Sequence, residues 1–169
     1  MGRKHLIRIS YVDERMDDPR KSTMRKLSRF GMAYRIDAKM IRGKVLLWPF
    51  SDKYLTARDK VIAEKYGLCV IETSWKRIED RYSQKSGNQR KLPLILPVNP
   101  VNFGKPGLLS SVEAIASALY IMGENSLADS VLSKFPWAHT FYETNLELLK
   151  AYSTCGSNEE IISVQAEFF

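Results

Sequence analysis

Apolar residues along this chain follow two patterns. Up to about residue 96 they come in short runs: Leu6-Ile7 and Ile9, Val45 to Trp48, Leu68 to Ile71, and Leu94 to Leu96. Such runs, rich in β-branched residues, predict strands over 5–11, 44–50, 68–73 and 92–96. Between them lie helix signals. Ser22 or Thr23 can cap a short helix ending at Gly31, and Ser51 or Asp52 a longer one ending at Gly67. Ser74-Trp75 opens a third, through about residue 84, and 86–89 reads as a flexible break. Strand–helix alternation at these lengths predicts an α/β half with a mostly parallel sheet. Beyond Gly107 the period becomes helical. Helices are expected over 110–122, 125–135, 139–152 and 159–167, the first apolar nearly all round and so buried. The expected organisation is an α/β half, 1–96, followed by an all-helical half, 97–169.

The seam between the halves is the stretch 90–113, RKLPLILPVNPVNFGKPGLLSSVE. Prolines at 93, 97, 100 and 106 remove backbone donors and fix φ, which excludes ordinary helix or central sheet from this loop. Asn and Gly there tolerate turn conformations. A stiffened loop after a buried strand builds ligand pockets in α/β folds. It also serves as a plain crossover whose prolines lower the entropy of the unfolded chain.

Composition narrows the class. Hydrophobic residues make up 44% and charged residues 27% of the 169, ordinary for a globular chain able to bury a core. No run of about 18 apolar residues exists, so no membrane helix is expected, and the start lacks the apolar stretch of a secretory signal. Two cysteines and two histidines are too few for a disulfide scaffold or a zinc site. A cytoplasmic protein without a structural metal is expected. The net charge of +7 is unevenly spread. Residues 1–44 hold 13 Lys/Arg against 5 Asp/Glu, a net +8, and the rest holds 13 against 14, a net −1. A basic patch on a loop and short helix suits a polyphosphate partner, nucleic acid foremost, or serves as a solubilising face.

No P-loop, dinucleotide fingerprint or nucleophile elbow is present. Ligands are expected at the carboxyl ends of the strands. Glu72 stands there as a pocket acid, or as a carboxylate satisfied by the next helix N-terminus. Trp75 suits stacking on a base or plain core packing. Lys91 and Lys105 flank the loop, to meet phosphate or water.

Three separated motifs together resemble one family. They are Asp18-Pro19-Arg20-Lys21-Ser22-Thr23 with Lys26-Leu27 and Phe30-Gly31; Val70-Ile71-Glu72-Thr73-Ser74-Trp75; and Arg90-Lys91-Leu92-Pro93, Asn99 to Pro106 and Leu109 to Ala114. Ser133-Lys134-Phe135, Trp137, Phe141, Asn145 and Tyr152 fit as well. In this order the chain is similar to the small-subunit ribosomal RNA aminocarboxypropyltransferases, and its short C-terminus looks like an archaeal member.

The resemblance implies a SPOUT-like fold with a knotted cofactor region. It implies transfer of the 3-amino-3-carboxypropyl group of S-adenosylmethionine to N3 of a pseudouridine, commonly methylated at N1, in small-subunit rRNA. By the same resemblance Thr23, Ile71, Leu92, Gly107, Ser111 and Trp75 fall at cofactor contacts, with Glu72 as the base or amino-group anchor. Gly107 stands where the family often has an aromatic, so only backbone can act there, and Phe103 replaces a frequent Tyr. Arg8, Arg20, Lys21, Arg25, Lys26 and Arg29 are the expected RNA contacts. A monomer is expected, because the helical half would cover the usual SPOUT dimer face. The rivals are an rRNA methyltransferase using the same pocket and a non-catalytic ribosome-assembly factor.

Overall fold

The computed structural model describes residues 6–14, 22–72 and 87–169. The helix expected over 74–84 lies outside them, as do Trp75, Arg20 and Lys21. Five parallel strands form one sheet in the order β2-β1-β4-β3-β5: β1 Ile9–Asp13, β2 Tyr34–Arg35, β3 Val45–Leu47, β4 Leu68–Glu72 and β5 Asn88–Arg90. Six α-helices accompany them among the described residues: α1 Thr23–Arg29, α2 Lys60–Tyr66, α3 Ser111–Ile121, α4 Asn125–Leu132, α5 Ala138–Ser153 and α6 Asn158–Phe168.

The period of two along each strand sends alternate residues to opposite faces. Leu68 and Val70 of β4, Val45 and Leu47 of β3, and Ile9 and Tyr11 of β1 join one large core. That core continues through Ile115, Leu119, Phe141, Tyr152 and Ile161, so residues on both sides of the seam share it. The alternate positions, Cys69 and Ile71, Leu46 and Trp48, and Val12, form a small second cluster with Ile41. Burial pushes the Cys69 thiol up to about 11, which leaves it an inert core residue.

The helix caps follow the sequence. The Ser22 hydroxyl accepts from the Arg25 amide at 3.2 Å and opens α1. Ser110 and Glu113 form a reciprocal capping box at the start of α3. Gly67, at φ 102°, ends α2; a Cβ there would sit 3.0 Å from the Arg8 carbonyl, so β1 and β4 can start side by side only with glycine.

Four expectations are corrected. The helix placed from residue 51 or 52 begins later, with the capping box of Thr56 and Asp59 followed by α2, because Tyr54 and Leu55 are held extended against Lys91. The strand expected over 44–50 ends at Leu47, and Phe50 is exposed. A short edge strand, β2, was not foreseen; with two exposed residues it carries no apolar pattern. The largest correction concerns 92–96, which is not a strand. The fifth strand lies just before it, in the polar triplet Asn88–Arg90, whose first two residues read as part of a flexible break.

Residues 92–98 still run through the core, with Ile95 and Val98 buried. Prolines 93 and 97 break any ladder, and side chains supply the missing partners. The Gln165 Oε1 accepts from the Leu94 amide at 2.8 Å, and the Tyr152 hydroxyl donates to the Leu94 carbonyl at 2.9 Å. Asn145 takes both groups of Leu96, accepting at 2.9 Å and donating at 2.8 Å. Its amide thus copies one rung of a sheet. Asn145 is fully buried. Asn145→Ala, which strands two backbone groups, is expected to lose about 2–4 kcal/mol of stability in urea unfolding.

Candidate functional site

A cavity of about 410 Å³ opens at the carboxyl ends of β3 and β4. Leu47, Trp48 and Pro49 form one wall, Val70 and Ile71 another, and Leu92, Pro93 and Leu94 a third. Gly107 and Leu109 of the proline loop, Ser111 and Ala114 of α3, and Gln165 of α6 complete it. The volume suits a cofactor-sized molecule, and apolar walls with a few polar groups are what such a molecule needs. Parallel strands direct their carboxyl ends to one edge, which is why the site forms there.

Four residues expected from sequence, Ile71, Leu92, Gly107 and Ser111, line this one cavity. Gly107 has φ 80°, and a Cβ there would meet the Leu94 side chain at 3.4 Å. Thr23 stands beside the cavity at the α3 N-terminus, its hydroxyl accepting from the Val112 amide at 3.2 Å. Glu72 directly follows Ile71 and is half-buried. Its Oε2 accepts from the Ser22 hydroxyl at 2.9 Å.

In the β1–β4 register Glu72 stands opposite Asp13, so two carboxylates end adjacent strands. Arg25 answers them: its Nε donates to Asp13 Oδ2 at 2.6 Å. That bond, above all, raises the guanidinium's pKa further. The acidic edge, α1 and the α3 N-terminus therefore meet in one place next to the cavity.

The loop over the cavity is pinned from beneath. Glu113 is fully buried, and its carboxylate accepts from the Val98 amide at 2.7 Å and the Asn99 side-chain amide at 2.6 Å. It also accepts from the Ser110 amide at 3.0 Å and the Ser110 hydroxyl at 2.8 Å. Sequence reasoning did not place Glu113 in the site, although the Ser-x-x-Glu capping signal was visible. Tyr54 and Gln165 were also missed as lining residues, whereas Trp48 and Pro49 stand at a strand end where a ligand was expected. Gln165 gives no local signal, since it reaches the cavity from the last helix. Lys91 lies on the cavity wall with its ammonium 4.4 Å over the Tyr54 ring.

The expected RNA-contact residues divide. Arg8 is exposed but precedes β1, at the opposite end of the sheet from the cavity. Arg25 is tied to Asp13, and the Lys26 ammonium lies 4.6 Å over the Phe135 ring. Arg29 is exposed. Exposed Arg35, Lys39 and Arg42 belong to the same basic quarter and were not singled out. Among the described residues no cluster of three metal-ligating side chains occurs, and no helix is long and apolar enough to cross a membrane.

Residues 45–169 match the family described as "Ribosome biogenesis protein, C-terminal". The chain is 48% identical over 161 residues to the 16S rRNA aminocarboxypropyltransferase of Thermoplasma volcanium, covering 95% of this chain and 98% of that one. It is 42% identical to the enzyme of the same name from Thermoplasma acidophilum, covering 97% and 100%. The structure of the SAM-dependent rRNA:acp-transferase Tsr3 from Vulcanisaeta distributa superposes with a TM-score of 0.85 at 35% identity, covering 96% of each chain.

Proposed function

The chain belongs to the 16S rRNA aminocarboxypropyltransferase family, and from that premise we propose that it carries the 3-amino-3-carboxypropyl group of S-adenosylmethionine to N3 of a pseudouridine, methylated or not at N1, in small-subunit rRNA. The observation that carries the reading is a cavity at the strand ends whose lining brings together Ile71, Leu92, Gly107 and Ser111. Its apolar walls suit an adenosine, and Ser111 opens α3 on its lining, where the helix N-terminus favours the carboxylate of an amino acid moiety. The knotted cofactor region of a SPOUT-like fold would fall in the seam and its loop, a reading supported by the parallel sheet and the side-chain-held segment 92–98.

S-adenosylmethionine brings a sulfonium leaving group, so that closing the N3–Cγ bond breaks the Cγ–S bond and releases methylthioadenosine. The residues then have three tasks: holding the γ-carbon toward the RNA, turning the methyl into protein, and taking the N3 proton. Positioning of this kind supplies up to roughly 7–11 kcal/mol. Ile71 and Leu92 wall the adenosine and offer main-chain groups. Gly107 contributes backbone only. Ser111 and Thr23 hold the amino acid moiety at the start of α3. Glu72 anchors the amino group or accepts the N3 proton. Trp75, outside the described residues, is assigned to the adenine wall.

For the RNA, Arg8, Arg20, Lys21, Arg25, Lys26 and Arg29 are the proposed contacts, with Arg29 more open than Arg25 and Lys26. The target base must be unstacked to enter. If about four phosphates are engaged, raising salt from roughly 50 to 200 mM should weaken rRNA-fragment binding about 50-fold in a filter or anisotropy assay. Salt-insensitive binding would remove the basic quarter from the interface. We read the protein as a cytoplasmic monomer.

The deciding experiment weighs digested nucleosides after incubation with S-adenosylmethionine and small-subunit rRNA. A gain of about 101 Da is expected. A gain of about 14 Da would make the protein a methyltransferase. No gain together with no S-adenosylmethionine binding would leave an assembly factor.

A further inference from the structure

We propose that residues 29–35, together with Lys134, form a stacking platform for an unpaired stretch of the RNA substrate; this rests on the reading above that the chain acts on rRNA. Residues 22–36 contain four basic residues and no acidic one. Within them Phe30 is 53% and Tyr34 60% exposed. They flank the turn at Gly31, and exposed Arg29 and Arg35 stand next to them in sequence. Fully burying a ring of this size is worth about 1.5–3 kcal/mol, and two rings in one cationic turn leave about half of that unused.

The α4–α5 connection meets this turn. The Lys134 ammonium sits 5.0 Å over the Phe30 ring. Beside it Lys26 of α1 sits over Phe135, and Phe135 packs on Trp137 with centroids 5.2 Å apart. Ammonium groups and rings therefore alternate across two chain segments distant in sequence. Lys26–Phe135, with its buried ring, fastens α1 to the helices, while Lys134–Phe30 is left on the surface. Rings with adjacent cations are the combination that grips single-stranded nucleic acid: bases stack and phosphates are neutralised. A duplex hides its base faces, so the fit is to unpaired nucleotides. The seven residues of α1 span about 10 Å at ~1.5 Å each. Thr23, at the cofactor end, and Phe30 are thus separated by a few nucleotides' worth of strand at ~3.4 Å each.

The test uses the full chain with two probes, an eight-nucleotide oligouridylate and an RNA duplex of equal length. Wild type is expected to bind the oligouridylate more tightly than the duplex. The double variant Phe30→Leu/Tyr34→Leu keeps apolar bulk but loses the stacking faces. It should bind oligouridylate about tenfold or more weakly with an unchanged salt slope. Lys134→Gln should flatten that slope by about one. Unchanged S-adenosylmethionine affinity shows that each variant is folded. With 5-iodouridine in the probe, crosslinks should fall on Phe30 or Tyr34. Oligouridylate affinity equal to wild type in the double variant overturns the platform, as does preference for the duplex. If wild type makes no aminocarboxypropyl product yet the double variant loses oligouridylate affinity, the platform stands and the reaction assignment falls.

Discussion

Glu113→Ala is expected to lose about 3–5 kcal/mol of folding stability, and to weaken S-adenosylmethionine binding at least tenfold even where the variant remains folded. The carboxylate is fully buried, and the bonds it accepts come from the Val98 amide, the Asn99 side chain and both donors of Ser110. Truncation strands those donors away from water, and each unsatisfied buried donor costs about 1–3 kcal/mol, less whatever rearrangement recovers. The affinity loss has a separate origin. This side chain joins residues 98, 99 and 110 of the loop to α3, and Gly107 and Leu109 of that loop line the cavity. Glu113→Gln keeps the shape but turns one acceptor into a donor facing other donors, so it should fall between Ala and wild type. Urea unfolding and calorimetric titration separate the two effects. A stability loss under about 1 kcal/mol for Ala would mean that the loop is held by something else.

Glu72→Gln should slow product formation by about 10²–10³-fold if the carboxylate takes the N3 proton, the usual worth of a positioned base. The amide keeps an acceptor for the Ser22 hydroxyl, now 2.9 Å from Oε2, so the geometry beside α1 should hold. The kinetic pattern distinguishes the roles. A base lost shows as a fall in kcat with KM for S-adenosylmethionine unchanged; an amino-group anchor lost shows chiefly as a rise in that KM. Full turnover with full affinity would remove both roles. The adjacent Asp13, held by Arg25, is the control: its substitution should disturb α1 without that split.

Which parts of this were legible in the sequence follows from the physics of each. β1, β3 and β4 carry apolar runs because both sheet faces are covered, and those runs survive any context. Ser22, Ser110 and Ser157 announce helix starts because a capping hydroxyl acts on amides three residues away. Ile71, Leu92, Gly107 and Ser111 could be named because three separated motifs travel together, and the fold brings all four to one cavity. The segment 92–96 misled because its composition is that of a buried strand while its neighbours are side chains. The partners that replace the ladder, Asn145, Tyr152 and Gln165, lie 49, 58 and 71 residues away, and no local pattern encodes them. β5 was missed for the converse reason. Asn88–Arg90 is polar and pairs only through its backbone and through contacts such as Arg90 with Asp59 at 3.0 Å.

The dependence of Leu94 on Gln165 also sets an order of events during protein synthesis. A nascent chain that has emerged only as far as the proline loop has its strands but lacks every side chain that fixes 94–98. Gln165, which closes the wall, comes from the last of the described helices. Contacts this distant in sequence form late, and here they cannot form until Gln165 itself has left the ribosome. Chains held on the ribosome short of Gln165 should therefore capture no S-adenosylmethionine, while chains in which the last helix has emerged should capture it.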